Sequence, residues 1–296
     1  MARGHTLPLG GTARSAQGAP VSWHGRLTLH YRRDGDRTTA LDRHHGPLRV
    51  LQRLYPEGPG ICHHVLVHPP GGLVGGDALE IDVSLDAHTH ALITTPGATR
   101  YYRSTGALAS QQALLQVAAG ARLEWLPLET LAYRGCRGAN SVRLQLAPGA
   151  EALGWDVLAL GLPASGAPFD AGSYRQHLEV AGVWQERASI AADDHRLLDS
   201  PLGLAGHRCL ASVFFVTGSP LGREDRQSAL DAAREVIDAH PLATTAGATS
   251  PNGRVVIVRA LAPLVEPAMD LMQRVRGAWR AHFWQLPPTR PRIWAM

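Results

Sequence analysis

Three stretches, Leu85-Asp86-Ala87-His88-Thr89-His90-Ala91-Leu92, Val117-Ala118-Ala119-Gly120-Ala121-Arg122-Leu123 and Leu146-Ala147-Pro148-Gly149-Ala150-Glu151-Ala152-Leu153, follow one plan. They recur at intervals of roughly thirty residues, a repeat length that suits the coils of a β-solenoid. Each sets a short turn between segments in which apolar and polar residues alternate. Leu79, Ile81, Val83 and Leu85 alternate with Glu80, Asp82 and Ser84; Leu123 and Trp125 with Arg122 and Glu124; Val142, Leu144 and Leu146 with Arg143 and Gln145. Period two marks strands with one buried face. A sandwich of hairpins accounts for the alternation equally well.

Outward from these turns, period two dominates from about Val21 to Ile190, and the last third changes character. Ala229 to His240 places Leu230, Ala233, Val236 and Ile237 on one helical face and stops at Pro241. A second helix is expected from Glu266 to Trp284, where Met269, Met272, Trp279 and Phe283 form an apolar stripe. Val255-Val256-Ile257-Val258, after the Pro251-Asn252-Gly253 turn, reads as a buried strand between them. Residues 1–19, rich in Gly, Ala, Ser and Arg without periodicity, read as a mobile tail before a single domain over 20–296.

Composition excludes several function classes. All 29 basic residues are arginine, so a phosphate loop of the Gly-x-x-x-x-Gly-Lys type and lysine Schiff-base chemistry are both ruled out. The formal charge is only +4 and the arginines are scattered, which argues against a nucleic-acid groove. No stretch approaches the roughly 20 apolar residues of a membrane helix, and Met1 to Pro20 has no apolar signal core, so a cytoplasmic location is expected. Cys62, Cys136 and Cys209 are far apart and read as reduced thiols. No Gly-x-Ser-x-Gly elbow is present.

Several residues could carry chemistry. The Gly-rich run His68-Pro69-Pro70-Gly71-Gly72-Leu73-Val74-Gly75-Gly76-Asp77 continues into a strand rather than a helix, so its glycines serve the backbone, and Asp77 stands at the mouth of a strand where an Asp ordinarily caps a turn. In Cys62-His63-His64-Val65-Leu66-Val67-His68 a strand would put Cys62, His64 and His68 on one face. His64 and His68 would then be about 13 Å apart at ~3.3 Å per residue, which leaves Cys62 and His64 as a weaker candidate pair for a metal. Asp156 interrupts the apolar run Leu153-Gly154-Trp155-Asp156-Val157-Leu158, and a buried carboxylate there needs a partner, a metal or an internal cavity. Glu186 shares a face with Trp184, Ala188 and Ile190.

Four blocks, taken in order, carry a family resemblance: His68 to Asp77; Leu92-Ile93-Thr94-Thr95-Pro96-Gly97-Ala98-Thr99-Arg100-Tyr101-Tyr102-Arg103-Ser104; Leu123-Glu124-Trp125-Leu126-Pro127; and Pro291-Arg292-Ile293-Trp294-Ala295-Met296. With Gly46-Pro47-Leu48 and Tyr55-Pro56-Glu57 they are similar to the UreD/UreH family of urease accessory proteins from Trp23 onward. The resemblance implies a mainly β, β-helix-like fold of stacked strands, and a cytoplasmic maturation factor that is not an enzyme. It implies binding to apo-urease together with a UreF-like helical accessory protein and a UreG-like GTPase. It further implies no permanently bound cofactor, with nickel(II) passing through an internal polar tunnel whose lining matches Asp77, Thr99, Asp156 and Glu186. Where relatives carry a second acid after Gly-Gly-Asp, this chain has Ala78. The competing reading makes Asp77, Asp156 and Glu186 acid and base residues of a β-solenoid hydrolase.

Overall fold

The computed structural model describes residues 22–295, so the expected tail over 1–19 lies outside the described residues. The chain winds through successive coils. Ile61–Val67 leads to Ala78–Leu85; His90–Thr94, Thr99–Tyr101 and Ala109–Val117 make the next turn. Arg122–Leu126, Thr130–Ala132 and Cys136–Leu146 make the third, and Glu151–Leu162 with Gly172–Val180 the fourth. Equivalent strands stack in parallel. Ala78–Leu85, Ala109–Val117, Cys136–Leu146 and Gly172–Val180 form the middle of a first sheet, and Ile61–Val67, His90–Thr94, Arg122–Leu126 and Glu151–Leu162 lie together in a second. Thr99–Tyr101, Thr130–Ala132 and the later part of Glu151–Leu162 pair as a narrow third face. This is a β-solenoid of about 4 turns.

The three repeated turns are its corners. They lie in register, with Leu85, Val117 and Leu146 aligned before the turn and His90, Arg122 and Glu151 aligned after it. The same position of each turn is left-handed: His88 at φ 58°, Gly120 at 70° and Gly149 at 76°. In each, an N–H closes the turn onto the carbonyl three residues earlier, from Thr89 to Asp86, Ala121 to Ala118 and Ala150 to Ala147. Ala118 N–H then donates to Leu85 O, and Ala147 N–H to Val117 O, so every corner is tied to the preceding coil. Hairpins would not stack this way, and the sandwich alternative falls.

Both sheets continue beyond the coils with other pairings. His24–Asp34 adds in parallel to the first sheet, followed by antiparallel Arg37–His45, and Trp184–Ala191 closes the opposite edge. Cys209–Thr217, Val255–Ala262 and Ala246–Asn252 extend the second sheet antiparallel past Glu151–Leu162. Among the described residues the two expected helices are present, with one short α-helix besides. The additional one, α1 (His195–Asp199), is a single short turn capped by the Asp194 carboxylate, which accepts from Leu197 N–H. The expected pair are α2 (Arg223–Asp238) and α3 (Val265–Trp284). α2 begins six residues before its apolar period, because the exposed Glu224 and Asp225 favour its first turn through the helix dipole.

α2 and α3 cover the outer face of the second sheet, which is why Glu151–Leu162 is apolar on both sides. Ala152, Leu158 and Leu160 face the solenoid interior, and Leu153, Trp155 and Val157 face the helices beside Leu92, Leu126 and Phe215. Met272, Val275 and Trp279 of α3 are fully buried there, each worth roughly 2–3 kcal/mol.

That covering also overturns one reading of the alternation. Arg122 and Glu124 mark the outer face of their strand as polar, yet Glu124 is 0% exposed because α3 lies over it. Arg276 and Arg280 come down in the apolar stripe of α3, both essentially buried. Arg276 donates twice to Glu124 Oε2, at 2.8 and 2.6 Å, and His90 Nε2 and Arg280 Nε lie 3.3 Å from Oε1. Arg280 also donates to Glu57 at 2.8 Å, and Glu57 pairs with His63. Burial alone pushes the Glu124 carboxyl up, but Arg276, His90 and Arg280 overcome it and hold the group at about 2. The same arginines fasten the C-terminal segment, through Arg276 to Thr289 O and Arg280 to Pro287 O. Trp294 donates to Thr94 Oγ1 and packs on Trp155.

Candidate functional site

Most inward positions of the solenoid are apolar, and the exceptions fall in line. In the first sheet, Gln111, Asn140 and Gln176 occupy one row of successive strands, on the inward side shared with Ala113, Val142 and Leu178. Gln111 Nε2 donates to Asn140 Oδ1 at 3.3 Å. On the facing side, Thr99 and Thr130 are aligned in the third face. The row spans two strand spacings, about 10 Å at ~4.8 Å each.

A cavity opens at each end of this row. Near Gln111, two adjoining hollows of about 150 and 40 Å³ share His68, Thr95, Thr99 and Gln111 in their walls. The larger reaches out past Gly71, Gly72 and Arg100. His68 Nε2 is buried there without a hydrogen-bond partner among the described residues. Burial lowers the His68 pKa against the opposing charge of Asp77, which favours a neutral imidazole with a free nitrogen.

Near Gln176 lies the larger cavity, about 540 Å³, between the two sheets where the coils end. Asp156, Ser212 and Arg259 stand in one row of the second sheet and form one wall; Gln176, Glu186 and Ala188 of the first sheet form the other. Asp156 is half-buried. Burial pushes its carboxyl up to about 6, Gln176 opposing through a hydrogen bond and the Glu186 charge adding to the rise. Glu186 is ion-paired with Arg259, whose guanidinium lies 6.0 Å from the Trp184 ring. A site of this composition offers a cation weak oxygen donors, with water to complete any shell.

The structure therefore brings Asp156 and Glu186 together and sets Thr99 on the cavity at the other end of the polar row. Asp77 lines neither cavity. It is 3% exposed, and its two oxygens accept from Trp23 N–H at 2.8 Å and Val74 N–H at 2.9 Å, fastening the Gly-rich segment to the first strand. Cys62 and His64 share the inward face of their strand, both fully buried. His64 Nδ1 is engaged by the Tyr31 hydroxyl at 2.6 Å, and burial raises the Cys62 thiol pKa. Among the described residues no group of three or more His, Cys, Asp or Glu is placed to hold a metal ion. Sequence reasoning missed Gln111, Asn140 and Gln176; their signal was a polar residue at an inward parity, readable once the coils are aligned.

Two of the blocks that carried the resemblance, His68 to Asp77 and Leu92 to Ser104, wall the first cavity, and two others hold Glu124 and Trp294 of the helix contact. The family model for the UreD urease accessory protein matches residues 24–295. The chain belongs to the UreD family. Relatives agree along the same length. It is 63% identical over 276 residues to urease accessory protein UreD of Paracidovorax citrulli (strain AAC00-1), covering 93% of this chain and 100% of that one. It is 61% identical, with the same coverage, to that of Polaromonas naphthalenivorans (strain CJ2), and 50% identical to that of Methylibium petroleiphilum (strain ATCC BAA-1232 / LMG 22953 / PM1), covering 93% and 99%. UreD proteins are accessory proteins rather than enzymes, so the hydrolase reading of Asp77, Asp156 and Glu186 is set aside. Among the described residues no helix is long and apolar enough to cross a membrane.

Proposed function

We propose that this chain is a chaperone-like urease maturation factor that passes nickel(II) along the polar row inside its solenoid toward apo-urease. The observation that carries this reading is the row Gln111–Asn140–Gln176, which lies between the cavity of His68 and Thr99 and the cavity of Asp156 and Glu186. A cation in transit needs donors that are numerous enough to replace part of its hydration and too sparse to trap it. Amides, hydroxyls and two separated carboxylates meet that requirement, and no three-ligand cluster interrupts the path among the described residues. His68 is the one histidine among the residues lining these cavities, and nickel accepts imidazole more readily than magnesium or calcium does.

In this reading the chain acts in the cytoplasm, bound to apo-urease with a UreF-like helical protein and a UreG-like GTPase that brings the metal. Nickel is cargo and the chain keeps no cofactor. Asp77 serves the path indirectly by holding the Gly-rich segment at its mouth. The names of the relatives support the urease partner, and the accessory partners are inferred with it.

Co-expression with urease and its accessory proteins tests the proposal. Asp156→Ala and Glu186→Ala should leave the complex assembled in a pull-down while lowering the nickel content of purified urease. Unchanged nickel in both variants, with assembly intact, would sink the internal path.

A further inference from the structure

Exposed apolar side chains gather around the Gly-rich segment, on the side of the solenoid where the long connections between its two sheets run. Trp23, Val74, Tyr102 and Leu108 are 52, 44, 37 and 40% exposed. Backbone bonds make them neighbours. Trp23 N–H donates to Asp77 and its carbonyl accepts from Ala78 N–H, Tyr102 N–H donates to Leu73 O, and Gly76 N–H donates to Leu108 O. Apolar residues scattered singly over a surface need no explanation, whereas a contiguous patch marks a contact site.

The central side chain of the patch is fixed in place. The Tyr102 ring lies so close to Gly72 that a Cβ there would come within 2.3 Å of it. Its other neighbour is the Tyr133 ring, with centroids 5.0 Å apart. A ring already held by two neighbours loses little freedom on binding, which is what makes an exposed aromatic an effective anchor.

The rim carries positive charge without a counter-charge. Arg103 and Arg137 are exposed, and neither has a carboxylate within ion-pair distance among the described residues. Arg137 Nη1 donates to Gly106 O at 2.7 Å and the Arg103 stem lies against Gly135, so both side chains are tied to the connections that form the patch. Arg134 is already paired with Asp170, and Asp77 is buried with both oxygens bonded to backbone. An aromatic and apolar centre with an arginine rim has the composition of a protein interface, and its charge suits an acidic surface. Two unpaired arginines are too few for the other anionic partners. Lipid-binding clusters take about 4–8 basic residues, and DNA-binding surfaces contact about 6–10 phosphates.

We propose that this patch docks a protein partner through a segment in which an apolar side chain is flanked by carboxylates, the apolar group meeting Tyr102 and the acids meeting Arg103 and Arg137. The inference rests on membership of a family of accessory proteins and not on the nickel path.

Photo-crosslinking in the assembled complex tests it. p-Benzoylphenylalanine placed at position 102 during co-expression with urease and its accessory proteins should form an adduct with one partner. Mass spectrometry should map that adduct to a segment with Asp or Glu beside an apolar residue. Arg103→Glu combined with Arg137→Glu should lower the adduct yield about tenfold, since like charges then oppose each other. Exchanging two acids of the mapped segment for lysine should restore the yield, which a misfolded variant would not allow. No adduct, a mapped segment without acids, or an adduct that survives the double charge reversal would overturn the proposal. An adduct with residues 1–21 of this chain, a second copy, lipid or nucleic acid would overturn it equally.

Discussion

Replacing Glu124 by Gln perturbs the buried ion cluster at its centre. The side chain keeps its size and one acceptor oxygen but loses the charge that faces Arg276, Arg280 and His90. Two arginines that are almost wholly buried are then left without it, although one of them keeps the Glu57 carboxylate. Removing one member of a buried pair costs about 3–5 kcal/mol. A carboxyl held at about 2 rather than 4.5 gives a similar figure, roughly 3 kcal/mol. The sign follows from the depressed pKa. The stabilisation is complete above the unfolded value near 4.5 and is lost as pH falls toward 2. Urea unfolding of the full chain at pH 7 should show Glu124→Gln destabilised by about 3–5 kcal/mol, and the gap from the parent should narrow steadily below pH ~4. The cost should shrink when Arg276 and Arg280 are both methionine, since no stranded cation then remains. A loss under ~1 kcal/mol at pH 7, the scale of a surface pair, would refute the account of how α3 is anchored.

Asp156 should behave oppositely. Its folded pKa is raised to about 6 from 3.8, so ionising it disfavours the native state progressively between pH ~4 and 6, and Asp156→Asn should stabilise the chain at pH 7 by roughly 3 kcal/mol and by nothing near pH 3, read by the same unfolding assay. The corners allow a second comparison. Gly120→Ala should cost more than Gly149→Ala, because both impose a left-handed φ on alanine, at about 1 kcal/mol, while a Cβ at Gly120 would also meet His88 Nδ1 at 2.5 Å; equal losses would contradict the corner geometry.

The sequence shows the coils more clearly than what lies between them. Corner turns are local, so their repeat at roughly thirty residues and the glycines at Gly120 and Gly149 are visible in one dimension. Alternation likewise gives Asp156 and Glu186 an inward parity, yet their meeting across two sheets depends on how far apart the solenoid holds its walls. Glu124 was misread for a definite reason. Period two separates two faces of a strand without saying whether the polar one is covered, and here α3 arrives from about 150 residues downstream. The clue sat in α3 itself, where Arg276 and Arg280 continue the spacing of Met269, Met272 and Trp279 and must therefore face the sheet. Asp77 shows a different limit: the sequence places it at the mouth of a strand, and only the fold shows that its two oxygens accept from the backbone N–H groups of Trp23 and Val74.

If the two cavities communicate through the polar row, Asn140 is the position to change, because it stands between Gln111 and Gln176 and lines neither cavity. Asn140→Leu replaces the amide with an apolar side chain of similar size. The measurement is nickel per urease active site after co-expression, alongside a pull-down that verifies assembly. An intact complex whose urease is poor in nickel is expected; an intact complex with full nickel occupancy would contradict an internal path.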